Sequence, residues 1–222
     1  MRPVIALAAA GLLAAGAWLL MRREQDAADL WASAVQAGEG IAEEVTEAAE
    51  TIIDTITMRL DLSKMRTVTA ADVAHPNVRA LLAVIRRGEG TADDLGYRRM
   101  VGGGEFASYA DHPRVVKSGV FKNGKAWRSS AAGAFQFLAS TWDETARLMG
   151  LADFTPASQD RAAVGRIAAR GALEDAKAGR IDLALQKIAR EWASMPGSPY
   201  GQPVISLATA RGVFASAGGT FA

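Results

Sequence analysis

One carboxylic acid stands out by its surroundings. Glu89 lies between two glycines, in Arg86-Arg87-Gly88-Glu89-Gly90-Thr91, directly after an apolar run in which Val78, Leu81, Leu82 and Ile85 recur at helical spacing. The spacing predicts a helix with one face in the core; His75-Pro76 suits its start, and Gly88 and Gly90 its end. A glutamate at that end sits where the helix macrodipole is negative, which disfavours the carboxylate, and partial burial pushes the same way. An acid that keeps its proton near neutral pH can protonate a leaving oxygen, which is what cleavage of a glycosidic bond requires. The plainer reading is a solvated glutamate in a helix-terminal loop. Glu105, Asp111, Asp143 and Asp160 are candidates for a second carboxylate, as a two-acid hydrolase would need. Asp111-His112-Pro113 also reads as ordinary turn chemistry, and Asp143 as first-turn helix stabilisation.

Other chemistries are excluded by composition. The chain of 222 residues has no Cys, so neither disulfides nor thiolate catalysis are available, and its 2 histidines, His75 and His112, rule out a multi-histidine metal site. We expect neither metal nor cofactor. The net charge of +1 hides an asymmetry. Glu24 to Asp61 is acidic with Arg59 its single basic residue, whereas Arg114, Lys117, Lys122, Lys125 and Arg128 follow one another without an intervening acid. Such a patch attracts a polyanion. No nucleic-acid motif accompanies it, so an anionic cell-wall polymer is the better partner and no nucleic acid is expected.

The elements that position these residues follow in chain order. Pro3 to Met21 is an apolar run of roughly 19 residues, the thickness of a bilayer core, with Trp18 suited to an interface. Residues 1–23 are expected to be a transmembrane or signal-anchor segment; a cleaved signal peptide and a buried helix are the alternatives. Residues 24–68 read as an acidic helical linker striped by Ile41, Val45, Ala48, Ile52, Ile56 and Leu60, either solvated or serving as an oligomerising or partner-binding helix. Residues 69–222 are expected to form the main domain. Between Tyr97 and Arg128 helical periodicity vanishes: Gly102-Gly103-Gly104 reads as a flexible rim, Val115-Val116 and Val120-Phe121 as short strands, and Asn123-Gly124 as a hairpin turn. Helical pattern then resumes. Thr141 to Glu144 matches a capping box, Thr155-Pro156 opens a helix that Gly171 closes, Ile181, Leu185, Ile188 and Trp192 stripe another, and Pro203 opens the last. The fold class is thus α+β, mainly helical, with a small β or loop-rich lobe.

Ordered blocks from about Ala80 to Gln202 resemble the lambda-type endolysin family, the phage lytic transglycosylases of glycoside hydrolase family 104. They are Gly88-Glu89-Gly90-Thr91, Gly96-Tyr97, Val101-Gly102-Gly103, Phe106, Tyr109, Asp111-His112-Pro113-Arg114, Gly133 with Gln136, and Trp142-Asp143. Gly150-Leu151, Asp153-Phe154, Ser158-Gln159-Asp160, Arg170-Gly171-Ala172-Leu173, Trp192-Ala193-Ser194, Pro196-Gly197 and Tyr200-Gly201-Gln202 complete the set. Arg98-Arg99 departs from it.

The resemblance implies a lysozyme-like two-lobed domain that cleaves the bond between N-acetylmuramic acid and N-acetylglucosamine in peptidoglycan and leaves a 1,6-anhydro end, with Glu89 as the catalytic acid. Gln136 falls in a Gly-x-x-Gln pattern like that lining transglycosylase clefts. Tyr109, Tyr200, Gln202 and Gly103 would line saccharide subsites; core packing is the alternative for each tyrosine. A hydrolytic muramidase using Asp111, which lies where a lysozyme's second acid would lie, and a wall-binding component of a virion or secretion apparatus are the rival readings. The expected place of action is the bacterial wall, with the protein either anchored in the membrane facing the periplasm or virion-associated. Arg86 and Arg87 are expected to point to solvent, since a guanidinium close to Glu89 would lower its pKa.

Overall fold

The computed structural model describes residues 60–120, 124 and 126–222. The apolar run at residues 3–21, the acidic segment up to residue 59, and Asn123 lie outside the described residues. No helix among the described residues is long and apolar enough to cross a membrane.

Leu60, Leu62, Met65 and Val68 pack against the core of the main domain. A 3-10 turn, Leu62–Thr67, is opened by Asp61, whose carboxylate accepts from the Ser63 N–H at 3.1 Å. It is not the continuing α-helix expected there. The Asp61 N–H donates to the Ala169 carbonyl at 2.8 Å, and Met65 and Val68 go into the core at 0% and 6% exposure. Helix α1, Ala70–Ala74, starts with a full capping box between Thr69 and Asp72. Those bonds from Thr69 hold the Asp72 carboxyl down at about 2, and Lys177 adds an ion pair at 3.0 Å. Residues 60–74 thus form a strap bound along the domain.

Helix α2, Pro76–Gly88, buries Val78, Leu81, Leu82, Val84 and Ile85. Helix α3 spans Ala139–Met149, α4 Pro156–Ala169, α5 Leu173–Lys177, α6 Ile181–Ile188 and α7 Leu207–Ser216. Helix α4 is the central one, buried almost all round, and it can be so because Ala162, Ala163, Gly165, Ala168 and Ala169 let neighbours approach closely. A Cβ on Gly165 would stand 2.4 Å from the Met149 sulfur and 3.4 Å from the Met65 methyl. Helix α6 buries Ile181, Leu185 and Ile188 as the stripe predicts, with Trp192 buried just beyond its end.

Between α2 and α3 lies the small lobe. Its two-stranded antiparallel sheet pairs β1, Lys117–Val120, with β2, Ala126–Ser129. Val115-Val116 stay outside the ladder and exposed, because register is set by Gly119 opposite Trp127. A Cβ on Gly119 would lie 2.8 Å from the Trp127 ring, whose far edge would also meet one on Gly102 at 3.1 Å. Trp127 therefore bridges the hairpin and the glycine rim. Lys117 Nζ donates to the Gly103 carbonyl, so the rim expected to be flexible is tied to the hairpin.

Two helix starts differ from expectation. Thr141 lies inside α3, which begins at Ala139 without a side-chain cap of its own. Instead the Ser130 hydroxyl accepts from the Ala139 N–H at 3.0 Å, and Glu144 turns away to Arg166 at 2.8 Å. Helix α7 begins after Ser206, which accepts from the Thr209 N–H at 3.0 Å; residues 203–205 run extended because the Ile205 N–H is taken by the Ser194 carbonyl at 2.9 Å.

Met65→Ala should destabilise the domain by about 2–5 kcal/mol, since the side chain is fully buried beside residues that cannot close the gap. Denaturant unfolding measures it, and a change below about 0.5 kcal/mol would mean the strap does not belong to the core.

Candidate active site

Helix α2 ends in a Schellman arrangement. The Thr91 N–H donates to the Arg86 carbonyl at 2.9 Å and the Gly90 N–H to the Arg87 carbonyl at 3.4 Å. Gly90 adopts φ +70°, the left-handed conformation that closes such an end without a Cβ penalty. Glu89 is the capping residue at φ −76°, ψ −4°, its own N–H bonded to the Ile85 carbonyl at 2.9 Å. Below it, the Thr91 hydroxyl is fully buried and donates to the Ala134 carbonyl at 2.5 Å, which ties the helix end to the small lobe.

The Glu89 carboxyl is partly buried and meets one side chain from across the fold: the Ser194 hydroxyl donates to Glu89 Oε1 at 2.5 Å. Gly88 makes this possible, because a Cβ there would stand 2.2 Å from the Met195 methyl and 2.6 Å from the Ser194 hydroxyl. The segment carrying Ser194 is itself well held. Trp192 Nε1 donates to the Phe135 carbonyl at 3.1 Å, and Met195 is fully buried. Glu191 accepts from Arg166 at 2.6 Å and from Arg170 at 2.9 Å. Burial raises the Glu89 pKa above its ordinary value, and the Ser194 hydroxyl, which stabilises the carboxylate, opposes that in part.

Neither neighbouring arginine reaches the acid, though Arg86 does not point to solvent as expected. Its guanidinium folds back onto the Thr91 carbonyl at 2.9 Å and the Asp93 carbonyl at 2.8 Å, and lies 4.5 Å over the Tyr97 ring. Arg87 is exposed. Arg99 donates to the Gly90 carbonyl at 2.8 Å and pairs with Asp93 at 2.8 Å, while Arg98 donates to the Phe106 carbonyl at 2.8 Å. Arg99 thus bonds to the loop beside Glu89 and Arg98 to the small lobe, and neither bonds to the acid.

Asp111 is engaged elsewhere. Arg114 pairs with it at 3.0 Å and with Asp143 at 2.6 Å, and Trp142 Nε1 donates to it at 3.3 Å. Although burial opposes, bonds from the His112 N–H and Arg114 hold its carboxyl below the usual range. His112 is buried: its Nε2 bonds the Phe137 carbonyl at 2.9 Å and its Nδ1 accepts from the Arg114 N–H at 3.1 Å, so the neutral ring holds the turn. Asp160 accepts from the Tyr97 hydroxyl at 2.7 Å. Glu105 is exposed, on the backbone bridge to Arg99.

Gln136 takes a left-handed conformation, φ +48°, and its Nε2 donates to the Gly133 and Arg99 carbonyls at 2.9 and 3.2 Å. Its amide nitrogen is thus occupied in holding the turn, leaving the side-chain oxygen for a ligand. Through Arg99 it is connected to the Gly90 carbonyl beside the acid. Tyr109 packs edge-on against Phe106 at 5.6 Å, half-buried. Tyr200 is exposed, its hydroxyl donating to the Arg190 carbonyl at 2.9 Å, and Gln202 is exposed. Ser194 and Gln159 stand in the sequence only within the motif blocks Trp192-Ala193-Ser194 and Ser158-Gln159-Asp160, with nothing local to mark a role. Gln159 is fully buried, accepting from the Ala134 N–H at 2.8 Å and donating to the Tyr97 and Phe154 carbonyls, which joins the small lobe to α4. A buried bracket of this kind carries no periodic signal; the proximity of Ser194 to Glu89 depends on a contact 105 residues apart.

Ser194→Ala removes the one bond favouring the Glu89 carboxylate, so the pKa should rise and the alkaline limb of activity should move to higher pH; a downward move would contradict this electrostatic account. Stability carries the opposite readout. A carboxyl with a raised folded-state pKa contributes stability fully below the unfolded value of about 4.3 and loses it as pH rises through the folded value. Glu89→Gln should therefore melt above wild type at neutral pH, with the gap closing on acidification.

Comparison with known proteins agrees with this architecture. The endolysin family model matches residues 79–221. The endolysin of Escherichia phage P2 is 39% identical over 159 residues, covering 65% of this chain and 94% of that protein. The endolysin of Escherichia phage lambda is 38% identical over 148 residues, 64% of this chain and 91% of its own. The bacteriophage lambda lysozyme solved in complex with a chitohexasaccharide superimposes with a TM-score of 0.61 at 37% identity, over 66% of this chain and 97% of that one. With a mainly helical, lysozyme-like fold and this match over most of the described residues, the chain belongs to the endolysin family.

Proposed function

We propose that the protein degrades bacterial peptidoglycan as a lytic transglycosylase, with Glu89 as its single acid and base. The observation that carries the reading is the partly buried Glu89 carboxyl, held by Ser194 with its pKa raised, on a domain like a lysozyme solved with a chitin oligosaccharide. The protonated carboxyl donates to the glycosidic oxygen as the bond to the anomeric carbon breaks, giving an oxocarbenium-like sugar. The ionised Glu89 then takes the proton from the 6-hydroxyl of the same N-acetylmuramyl residue as that oxygen closes on the anomeric carbon. Atoms balance without water, and the acid returns to its starting state. The Ser194 hydroxyl stabilises the carboxylate formed midway. Gln136, Tyr109, Gly103, Tyr200 and Gln202 are proposed to bind the glycan; for Gln136 the available group is its side-chain oxygen, suited to an acetamido N–H.

Asp111 is the alternative second carboxylate of a hydrolase. Its bonds to Arg114 and Trp142 speak for a turn-holding role instead, because a nucleophile or general base needs free lone pairs facing the substrate.

Glu89→Gln should lower clearing of purified sacculi by about a hundredfold or more with the circular dichroism spectrum unchanged. Asp111→Asn should retain activity within about tenfold. Mass spectrometry of wild-type digests should give anhydro-muramyl ends; reducing ends would establish hydrolysis, and full activity in Glu89→Gln would remove Glu89 from the mechanism.

A further inference from the structure

A concavity of about 490 Å³ opens on the face of α2 that carries Arg79, Leu82, Ala83 and Arg86, and does not include Glu89. Its walls come from α1, α2, the Tyr97 turn, the start of α4 and Ala217 beyond α7. Part of the α1 wall (Ala70, Val73 and Ala74) precedes residue 79, where the endolysin match begins. The groove is therefore finished by this chain's own strap.

Its lining has two characters. Methyl and methylene groups make the floor, from Ala70, Val73, Ala74, Leu82, Ala83 and Ala157. Three guanidiniums and one carboxyl make the charge: Arg79, Arg86, Arg161 and Asp160. Arg86 is held by backbone carbonyls and stacked on Tyr97, and Asp160 is bonded by the Tyr97 hydroxyl. Arg79 and Arg161 are exposed, and among the described residues neither makes a side-chain hydrogen bond or ion pair. Burial raises the Asp160 pKa, opposed by the Tyr97 hydroxyl and by the charges of Arg86 and Arg79.

From this juxtaposition we infer that the groove binds the peptide stem of the wall polymer, seating alanine methyls against its alanine-lined floor and the terminal D-alanine carboxylate between Arg79 and Arg161. Glycan stripped of its stems keeps only the lactyl carboxylate on each muramyl ring, too short to reach Arg79 from a sugar at Glu89, and offers no chain of alanine methyls for the floor. The inference rests on peptidoglycan being the substrate. The reach is adequate: Arg79 to Glu89 covers about 15 Å of helix, and an extended five-residue stem is about 17 Å long. A muramyl residue at Glu89 could thus lay its stem back along α2. Stem binding would then favour wall that still carries intact peptides.

The test uses the full chain and its Arg79→Ala/Arg161→Ala double variant, two exposed positions away from Glu89. In a calorimetric or NMR titration, acetyl-D-alanyl-D-alanine should bind wild type about tenfold more tightly than its C-terminal amide, a difference the double variant should lose. On stem-bearing sacculi the double variant should show a KM raised about fivefold with kcat unchanged, whereas on glycan stripped of stems by an amidase the two proteins should be equal. Equal binding of peptide and amide, or a double variant indistinguishable from wild type on intact sacculi, would overturn the inference. Failure of wild type on both intact and stripped glycan would instead overturn the catalytic reading.

Discussion

A single hydrogen bond between residues 105 positions apart, from the Ser194 hydroxyl to the Glu89 carboxyl, depends on nearly everything else in the domain. It requires that the end of α2 and the segment after α6 come closer than side chains normally permit. Gly88 supplies the missing volume, Gly90 the left-handed turn, and Met195 the apolar plug that seals the contact. The acid's backbone is thereby fixed from its own helix and its side chain from another. That division leaves the carboxyl one orientation.

The electrostatic problem is to keep a carboxyl partly desolvated in a basic neighbourhood. Arg86, Arg98 and Arg99 are all close in sequence or space, and any of them paired with Glu89 would hold it ionised. Each instead donates to backbone carbonyls, Arg86 and Arg99 in the loop after Glu89 and Arg98 at Phe106. On the far side the same logic holds Glu191. Buried between Arg166 and Arg170, it anchors the stretch from which Ser194 projects. Pairing of this kind is costly to break on one side, because the charge left behind has lost its partner in a dry environment.

The small lobe holds its shape with few regular elements. Among the described residues four per strand form a ladder, and turns set much of the remainder. Gln136 and Arg114 adopt positive φ without being glycine, and each is anchored: Gln136 through its side-chain amide, Arg114 through two carboxylates and the His112 ring. Side-chain to backbone bonds here replace what sheet pairing supplies elsewhere. Gln159 then joins this lobe to the central helix α4.

Much of this was legible from residue order alone. The α2 apolar spacing, the glycine pair that ends it, the Thr155-Pro156 start and the α6 stripe are local patterns, and local backbone physics determines them. So is the helix-end placement of Glu89, and the ordered motifs indicated the fold class. Other features depended on tertiary structure. Thr141 lost its capping role because Ser130 was nearer to the true helix start, and the strap joined the core because Gly165 left room beside Met65. The partner of Glu89, the diversion of Arg86 to carbonyls, and the occupation of Asp111 by Arg114 are each decided by distances in the folded chain. Periodicity reports which face of a segment is buried; it carries no information on which distant side chain will be waiting there. The sequence by itself determined that an acid would stand at the end of a buried helix, and the tertiary structure decided that it would be bonded by a hydroxyl and not neutralised by a guanidinium.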